Sequence, residues 1–300
     1  EIHRRVRAGQ IHQPAIQPPF GVQARQFAID GGGTGRGRRE VEDVIGHAPV
    51  ASLSQVEAAI AAAREAFDSG PWSTMTMDQR ADYMDEMVAA LQARQADIAA
   101  LIVAEVGCAQ GITHMMQVAN PINHLISTIK YARRDEPERL PIDINPNMFA
   151  PDGPQNIGGT TVVREPFGVV SAITGYNFPF LLNLAKIGPA LMAGCTMILK
   201  PSQFTPYSAL LFGEICEEIG LPKGVLNIVT GGIPEGQLLC TDERVDMVTF
   251  TGSEGVGASI MAQAASTLKK VHLELGGKSA MIVRHDADVQ RAAAMAVGIL

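Results

Sequence analysis

A chain of 300 residues with 46% hydrophobic and 18% charged side chains can form one large domain or two ordinary ones around a sizeable core. Its net charge of −7 offers no basic field to hold a phosphate backbone, so a nucleic-acid binder is not expected. No apolar run reaches the roughly 18 residues of a membrane span, and Cys108, Cys195, Cys216 and Cys240 lack the spacing of a metal site or a disulfide framework. No signal-peptide core is visible at the N-terminus, and the cytoplasm is the expected compartment.

Residues 1 to about 40 differ from the rest. They carry Arg4, Arg5, Arg7, Arg25, Arg36, Arg38 and Arg39 without a lysine, and no helical or strand period persists. Gly31-Gly-Gly-Thr-Gly-Arg-Gly37 imitates a dinucleotide fingerprint, but no convincing helix follows it. A flexible leader is expected there. Helices then begin cleanly. Ser54-Gln-Val-Glu57 reads as a capping box ahead of a stripe of Val56, Ala59, Ile60, Ala63 and Phe67, which Gly70-Pro71 ends. Thr76-Met-Asp-Gln79 opens a second helix, with Tyr83, Met84, Met87, Val88 and Leu91 at helical spacing. Helical patterning resumes from Asp97 to Glu105, stops at Gly107, and returns over about 110–133 with an interruption expected at Pro121. His114, Met115, Met116 and His124 in that stretch read as packing and surface groups, because no partners stand at metal spacing.

Between Pro137 and Pro166 the period changes. Short strand-like runs flank the Pro151-Asp-Gly-Pro154 turn and end in Thr160-Thr-Val-Val-Arg164, which predicts a two-stranded arm. From Gly168 apolar strands alternate with helices. Strands are expected at 168–173, 196–199, 225–229, 247–250 and 271–274, with helices over about 180–192, 205–219, 234–241 and 254–266. That alternation predicts right-handed crossovers and a parallel sheet, whose ligands bind at the carboxyl ends of strands. After 279–283, Asp286 and Asp288 open a last helix that reaches Leu300.

Polar groups collect at those strand ends. Phe250-Thr-Gly-Ser-Glu-Gly-Val-Gly257 is a strand, a glycine turn and a helix start, whose N–H groups and Ser253 hydroxyl suit a pyrophosphate; an ordinary strand-to-helix turn reads the same way. It lacks the Gly-Lys-[Ser/Thr] of a P-loop, so ATP is not expected. Lys200 ends a strand and is followed by Pro201; a solvated loop lysine is the alternative. Thr174-Gly-Tyr-Asn-Phe-Pro179 places Asn177 before a helix, either as its cap or as an amide donor. Glu274-Leu-Gly-Gly-Lys278 sets a carboxylate beside two glycines, open to a ligand or to an ion-pair partner.

Taken in order, Thr174–Pro179, Leu199–Pro206, Phe250–Gly257 and Glu274–Lys278 resemble the aldehyde dehydrogenase superfamily, and the resemblance runs from about Val50 to the last residue. It implies an α/β fold with a Rossmann-like parallel-sheet cofactor domain over 41–270, a hairpin assembly arm over 137–166, and the start of a catalytic domain over 271–300. It implies NAD or NADP as cofactor, contacted by Ile173, Thr174, Gly175, Tyr176, Lys200, Ser202, Gln203, Gly252, Ser253, Val256, Gly257, Leu275 and Gly276. Glu274 matches the family's general base and Asn177 its oxyanion donor. No metal is implied. The activity implied is oxidation of an aldehyde to an acid, with a homodimer or homotetramer as the assembled form. A dinucleotide-binding module without chemistry, and a reductase of acyl-phosphates or acyl-thioesters, are the alternative readings.

The chain departs from the family pattern at several points. Gly175 and Tyr176 replace Pro and Trp, Thr230-Gly-Gly-Ile233 replaces Gly-x-Gly, and the leader lacks an Asn-Pro segment. Gln203 stands where a glutamate often selects NAD, so the choice of coenzyme stays open. The family's nucleophilic cysteine is expected beyond Leu300. Cys195 and Cys216 read as core residues and Cys240 as the end of a short helix, so the chain reads as the front part of such an enzyme, with activity expected to be lost.

Overall fold

Residues 27–28, 46–149 and 152–299 are described in the computed structural model of the chain. The leader expected over 1–40, with its Gly31–Gly37 run, therefore lies almost wholly outside the described residues. What is described is β1 (Phe27–Ala28), paired antiparallel with β2 (His47–Ala48).

The helices that follow show how capping sets element limits. α1 (Leu53–Asp68) starts on Ser52, not on Ser54 as its pattern suggested. Ser52 Oγ accepts from the Gln55 N–H at 3.3 Å, and Gln55 Oε1 accepts from the Ser52 N–H at 2.8 Å. The Ser-x-x-Gln spacing closes the box as well as Ser-x-x-Glu does. Ser54 is left to share a hydrogen bond with the Ser52 hydroxyl at 2.9 Å. α2 (Met77–Ala93) opens on the expected Thr76–Gln79 box, and α3 (Gln95–Val106) closes at Gly107, whose φ of 71° is the left-handed conformation that glycine adopts freely. The interruption expected at Pro121 falls earlier. A helical turn at Gln110–Ile112 runs into a π-helix over Thr113–Ala119, and α4 (Asn120–Ala132) holds Pro121 near its start. Proline has no N–H to give and its ring crowds the carbonyl four residues back, so the ladder is disturbed before Pro121 and not at it.

The arm is a long antiparallel ribbon. β3 (Glu138–Arg139) pairs with β6 (Thr161–Val162), and β4 (Asp143–Asn145) pairs with β5 (Asn156–Gly158). Every residue of these strands is exposed.

The core sits around one sheet. β7 (Val169–Ile173), β8 (Thr196–Lys200), β9 (Leu226–Ile228), β10 (Met247–Thr251) and β11 (Lys270–Glu274) lie in the order β11-β10-β7-β8-β9, all parallel. The chain builds outward from β7 through β8 to β9, then crosses back to the other side of β7 for β10 and β11. A crevice opens at such a reversal, outside the carboxyl ends of the strands. β11, expected at the start of a second domain from 271, lies in this same sheet, where its register on β10 pairs Val248 with Val271 and Thr251 with Glu274.

Alternate residues feed two cores. Val170, Ala172, Met197 and Leu199 face α2, α3, α4, α5 (Pro179–Met192) and α6 (Tyr207–Glu218), where Phe180 stacks on Phe212 with centroids 5.3 Å apart. Val169, Ile198, Val248 and Phe250 face α1, α7 (Ile233–Thr241) and α8 (Glu254–Ala264). Asp246 ties the second layer together: its Oδ2 accepts from the Val169 N–H at 2.7 Å and from Arg64 of α1 at 2.8 Å. A Cβ on Gly168 would lie 1.9 Å from that same oxygen, and its φ is 124°, so only glycine fits before β7. α9 (Val289–Ile299) is capped by Asp288, which accepts from the Gln290 and Arg291 N–H groups. Among the described residues no single helix is long and apolar enough to cross a membrane.

Candidate functional site

Four strand ends meet along one edge of the sheet. β8 ends on Lys200, which is buried. Its Nζ donates to Gly231 O at 2.9 Å and Pro201 O at 3.2 Å, so it bridges the ends of β8 and β9. Burial lowers its pKa, and the Glu235 carboxylate pulls it back up. Glu235 itself closes the start of α7 by accepting from the Gly232 N–H at 2.6 Å. A Cβ on Gly232 would meet Gln203 Oε1 at 3.0 Å, so the double glycine lets the Gln203 loop close on this turn.

A cavity of about 360 Å³ lies between these loops, α7 and α8. Ile173, Ile233, Phe250, Val256 and Ile260 give it apolar walls, with Lys200 and Gln203 at its polar side. Apolar walls with a few placed polar groups are the make-up of a small-molecule site. Beside it, Ser253 is the N-cap of α8 but makes no capping bond with its side chain, so its hydroxyl and the first-turn N–H groups face solvent. Such a helix start attracts an anion. The glycines of this turn serve packing: a Cβ on Gly252 would come within 2.3 Å of the Phe250 ring, and one on Gly257 within 2.7 Å of Leu275.

The loop after β7 is pinned from within. Thr174 is buried and its hydroxyl donates to Asn183 Oδ1 at 2.7 Å, holding the loop to α5. Gly175 follows, then Tyr176, which is 60% exposed and meets Phe204 edge to face at 6.0 Å. Asn177 is exposed, and its carbonyl accepts from Gln117 Nε2 of the π-helix at 3.5 Å. Ser202 turns inward on its own loop, where its Oγ accepts from the Phe204 N–H at 3.2 Å.

Glu274 ends β11, and its side chain is 64% exposed. Leu275 packs over Gly257, and Gly276 is open on all sides. His272 Nε2 lies 3.3 Å from Glu274 Oε1. On the same face, Lys186 of α5 donates to Thr249 Oγ1 at 2.8 Å, and Thr249 Oγ1 lies 3.1 Å from His272 Nδ1. Burial lowers the Lys186 pKa to about 8, against the pull of Glu274.

Of the residues singled out in the sequence, Ile173, Lys200, Gln203 and Val256 line one cavity. Gly252, Ser253 and Gly257 form the adjoining turn, while Thr174 to Asn177 and Glu274 to Gly276 occupy the neighbouring strand ends. Thr174 spends its hydroxyl inside the protein, while Ser202 Oγ accepts from its own loop at the surface. Sequence reasoning missed Lys186, Thr249 and His272. Lys186 was detectable as a cation among the buried apolar positions Phe180, Leu184, Ile187 and Leu191 of α5. Cys195, Cys216 and Cys240 do not supply a thiolate here: burial pushes Cys240, in the cavity wall, up to about 11, Cys216 up to about 12, and Cys195 upward as well.

The chain is similar to known proteins over most of its length. The family model described as "Aldehyde dehydrogenase family" matches residues 38–299. The chain is 37% identical over 283 residues to a 3-succinoylsemialdehyde-pyridine dehydrogenase of a Pseudomonas species, covering 89% of this chain and 54% of that one. It is 37% identical over 256 residues to the chloroplastic betaine aldehyde dehydrogenase of Beta vulgaris, covering 83% of this chain and 49% of that one. Among solved structures, an NAD-dependent aldehyde dehydrogenase from Sinorhizobium meliloti aligns with a TM-score of 0.73 at 39% identity, over 84% of this chain and 48% of that one. Betaine aldehyde dehydrogenase from Staphylococcus aureus, in complex with NAD+, aligns with a TM-score of 0.77 at 32% identity, over 86% and 49%. The chain thus spans about half the length of the curated relatives it matches.

Proposed function

Because the chain belongs to the aldehyde dehydrogenase family, we propose that its sheet edge binds a nicotinamide dinucleotide for the oxidation of an aldehyde to a carboxylic acid. The observation that carries this is the single cavity shared by Lys200, Gln203 and Val256, with an open helix start beside it. The adenosine end suits the apolar cavity, with Lys200 and Gln203 beside its ribose. The pyrophosphate suits Ser253 and the first N–H groups of α8. When bound, the dinucleotide supplies a hydride acceptor.

This chain's own residues hold and polarise. Asn177 offers an amide N–H to an oxygen that gains charge, and Glu274 offers a carboxylate to take a proton from water or a thiol. Gln203 is neutral, so it neither repels a 2′-phosphate nor pairs with one, and NAD and NADP are both included in the proposal.

Ser253→Asp tests the reading. Aspartate is a good N-cap, so α8 should keep its helix while the carboxylate repels a phosphate. Calorimetric titration of the chain should show NAD affinity falling at least tenfold, about 1.4 kcal/mol, while adenosine, which has no phosphate, binds as before. Equal NAD affinity in both proteins would count against a phosphate site at α8.

We propose further that the arm joins copies of this chain. Ile144 and Ile157 lie directly opposite each other on β4 and β5 and are 60% and 74% exposed. Two strands with such a face gain stability by being covered.

A further inference from the structure

His272, Thr249 and Lys186 come from β11, β10 and α5, and the register brings them to one face of the sheet. Thr249 stands opposite His272 on the neighbouring strand, and Thr251 opposite Glu274. On a parallel pair, residues matched in register share a face, so His272 and Glu274, two apart, point the same way. Donor chemistry fixes the sense of the first hydrogen bond along this face. An ammonium only donates, so Lys186 Nζ gives a hydrogen to Thr249 Oγ1 over 2.8 Å. With its oxygen accepting, the Thr249 hydroxyl hydrogen is free to point at His272 Nδ1, 3.1 Å away. When that hydrogen is given to the ring, Nδ1 is its bare nitrogen. In the neutral ring the hydrogen therefore sits on Nε2, which lies 3.3 Å from Glu274 Oε1.

We propose that His272 is a positioning residue for Glu274, held in the Nε2–H tautomer by the Thr249 hydroxyl and, behind it, by Lys186. The proposal rests on the reading of Glu274 as the general base. Its effect is geometric. The Nε2–H, with Nε2 3.3 Å from Glu274 Oε1, draws one carboxylate oxygen toward the ring and leaves the other for the group that gives up a proton, so the base works from a narrowed set of orientations. Charged groups on the same face are Glu274 and Lys270 of β11, to either side of His272, and Lys186 of α5 behind Thr249; β7 contributes the uncharged Ala172 opposite Thr249. The burial that lowers Lys186 to about 8 leaves its amine able to donate on either side of that value, so the sense of the first link persists.

The test reads the ring directly and needs no turnover. The full chain, labelled with nitrogen-15 in histidine, is examined by long-range proton–nitrogen correlation at about pH 7.5, where an ordinary imidazole of pKa about 6.5 is mostly neutral. The signals are assigned by their loss in His272→Gln. His272 is expected as the Nε2–H tautomer with Nδ1 in the chemical-shift range of an unprotonated acceptor. Thr249→Val keeps shape but removes the hydroxyl, and should shift Nδ1 and release a mixture of tautomers. Thr249→Ser restores the hydroxyl and should restore the single tautomer, which a loss of packing alone would not do. If Thr249→Val does not fold, Lys186→Met with Lys186→Arg as its rescue makes the same comparison. A Nδ1–H tautomer or a solution-like mixture in the unaltered chain would overturn the proposal, and so would unchanged ring signals in both Thr249→Val and Lys186→Met. NAD titration of the same samples reads the cofactor site separately. Loss of the tautomer signature with dinucleotide binding intact sinks this inference alone, and the reverse sinks the dinucleotide reading alone.

Discussion

Glu105 shows how one buried carboxylate makes stability depend on pH. It stands on α3, 8% exposed, and its Oε1 accepts from the Tyr207 N–H at 2.7 Å at the start of α6. Oε2 has no hydrogen-bond partner among the described residues. Burial pushes its pKa from 4.5 up to about 7, and the hydrogen bond from the Tyr207 N–H offsets only part of that. Between those values the folded protein holds a proton that the unfolded chain releases. Stability from this group is therefore complete below about 4.5 and lost as pH rises through about 7. Glu105→Gln keeps an acceptor for Tyr207 and removes the titration. Urea unfolding should show the variant gaining on the parent as pH rises from about 5 to 8, by a difference on the order of 3 kcal/mol. A constant difference across that range would show that Glu105 is not held protonated.

Among the elements, the cap residues decide where helices begin and end. Because Ser52 and not Ser54 closes the box of α1, Ser52→Ala should cost about 1 kcal/mol and Ser54→Ala close to nothing. Thermal or urea unfolding of the two variants checks this, and the reverse order would place the helix start where the sequence pattern put it. Gly107 ends α3 at φ 71°, with no atom within 4 Å of where a Cβ would lie. Gly107→Ala therefore meets backbone strain alone and should cost about 1 kcal/mol. The π-helix over Thr113–Ala119 sets Gln117, fully buried, beneath the carbonyl of Asn177. An irregular helix thus supports the loop that carries Asn177.

Across the molecule as a whole, the arm stands away from the two cores with every strand residue exposed. Sedimentation of the chain should show mass rising with concentration, and Ile144→Lys together with Ile157→Lys should return it to a monomer with little change in melting temperature. Self-association that survives both lysines would move the contact elsewhere. The sheet carries the second global property. Its order places β10 and β7 side by side at the reversal, and the ends of β8 and β9 close the cavity from one side while α8 closes it from the other.

What neighbours within a few residues decide was legible in the sequence. Thr76 and Gln79 cap a helix by their spacing, Gly107 ends one by its freedom of φ, and apolar strands alternating with amphipathic helices require a parallel sheet covered on both faces. Lys200, Asn177, Ser253 and Glu274 could be placed at strand ends because each stands at or just after an apolar run. Lateral order and packing across the chain were settled only on folding. β11 joined the first sheet because its edge pairs with β10, which no local pattern reveals. The cavity forms where α7, α8 and the loops after β8 and β9 come together. Lys186, Thr249 and His272, far apart along the chain, meet only because register and helix packing bring one face of β10 and β11 under α5. Local rules act through hydrogen bonds between near neighbours, whereas these contacts follow from how the whole chain buries both faces of one sheet.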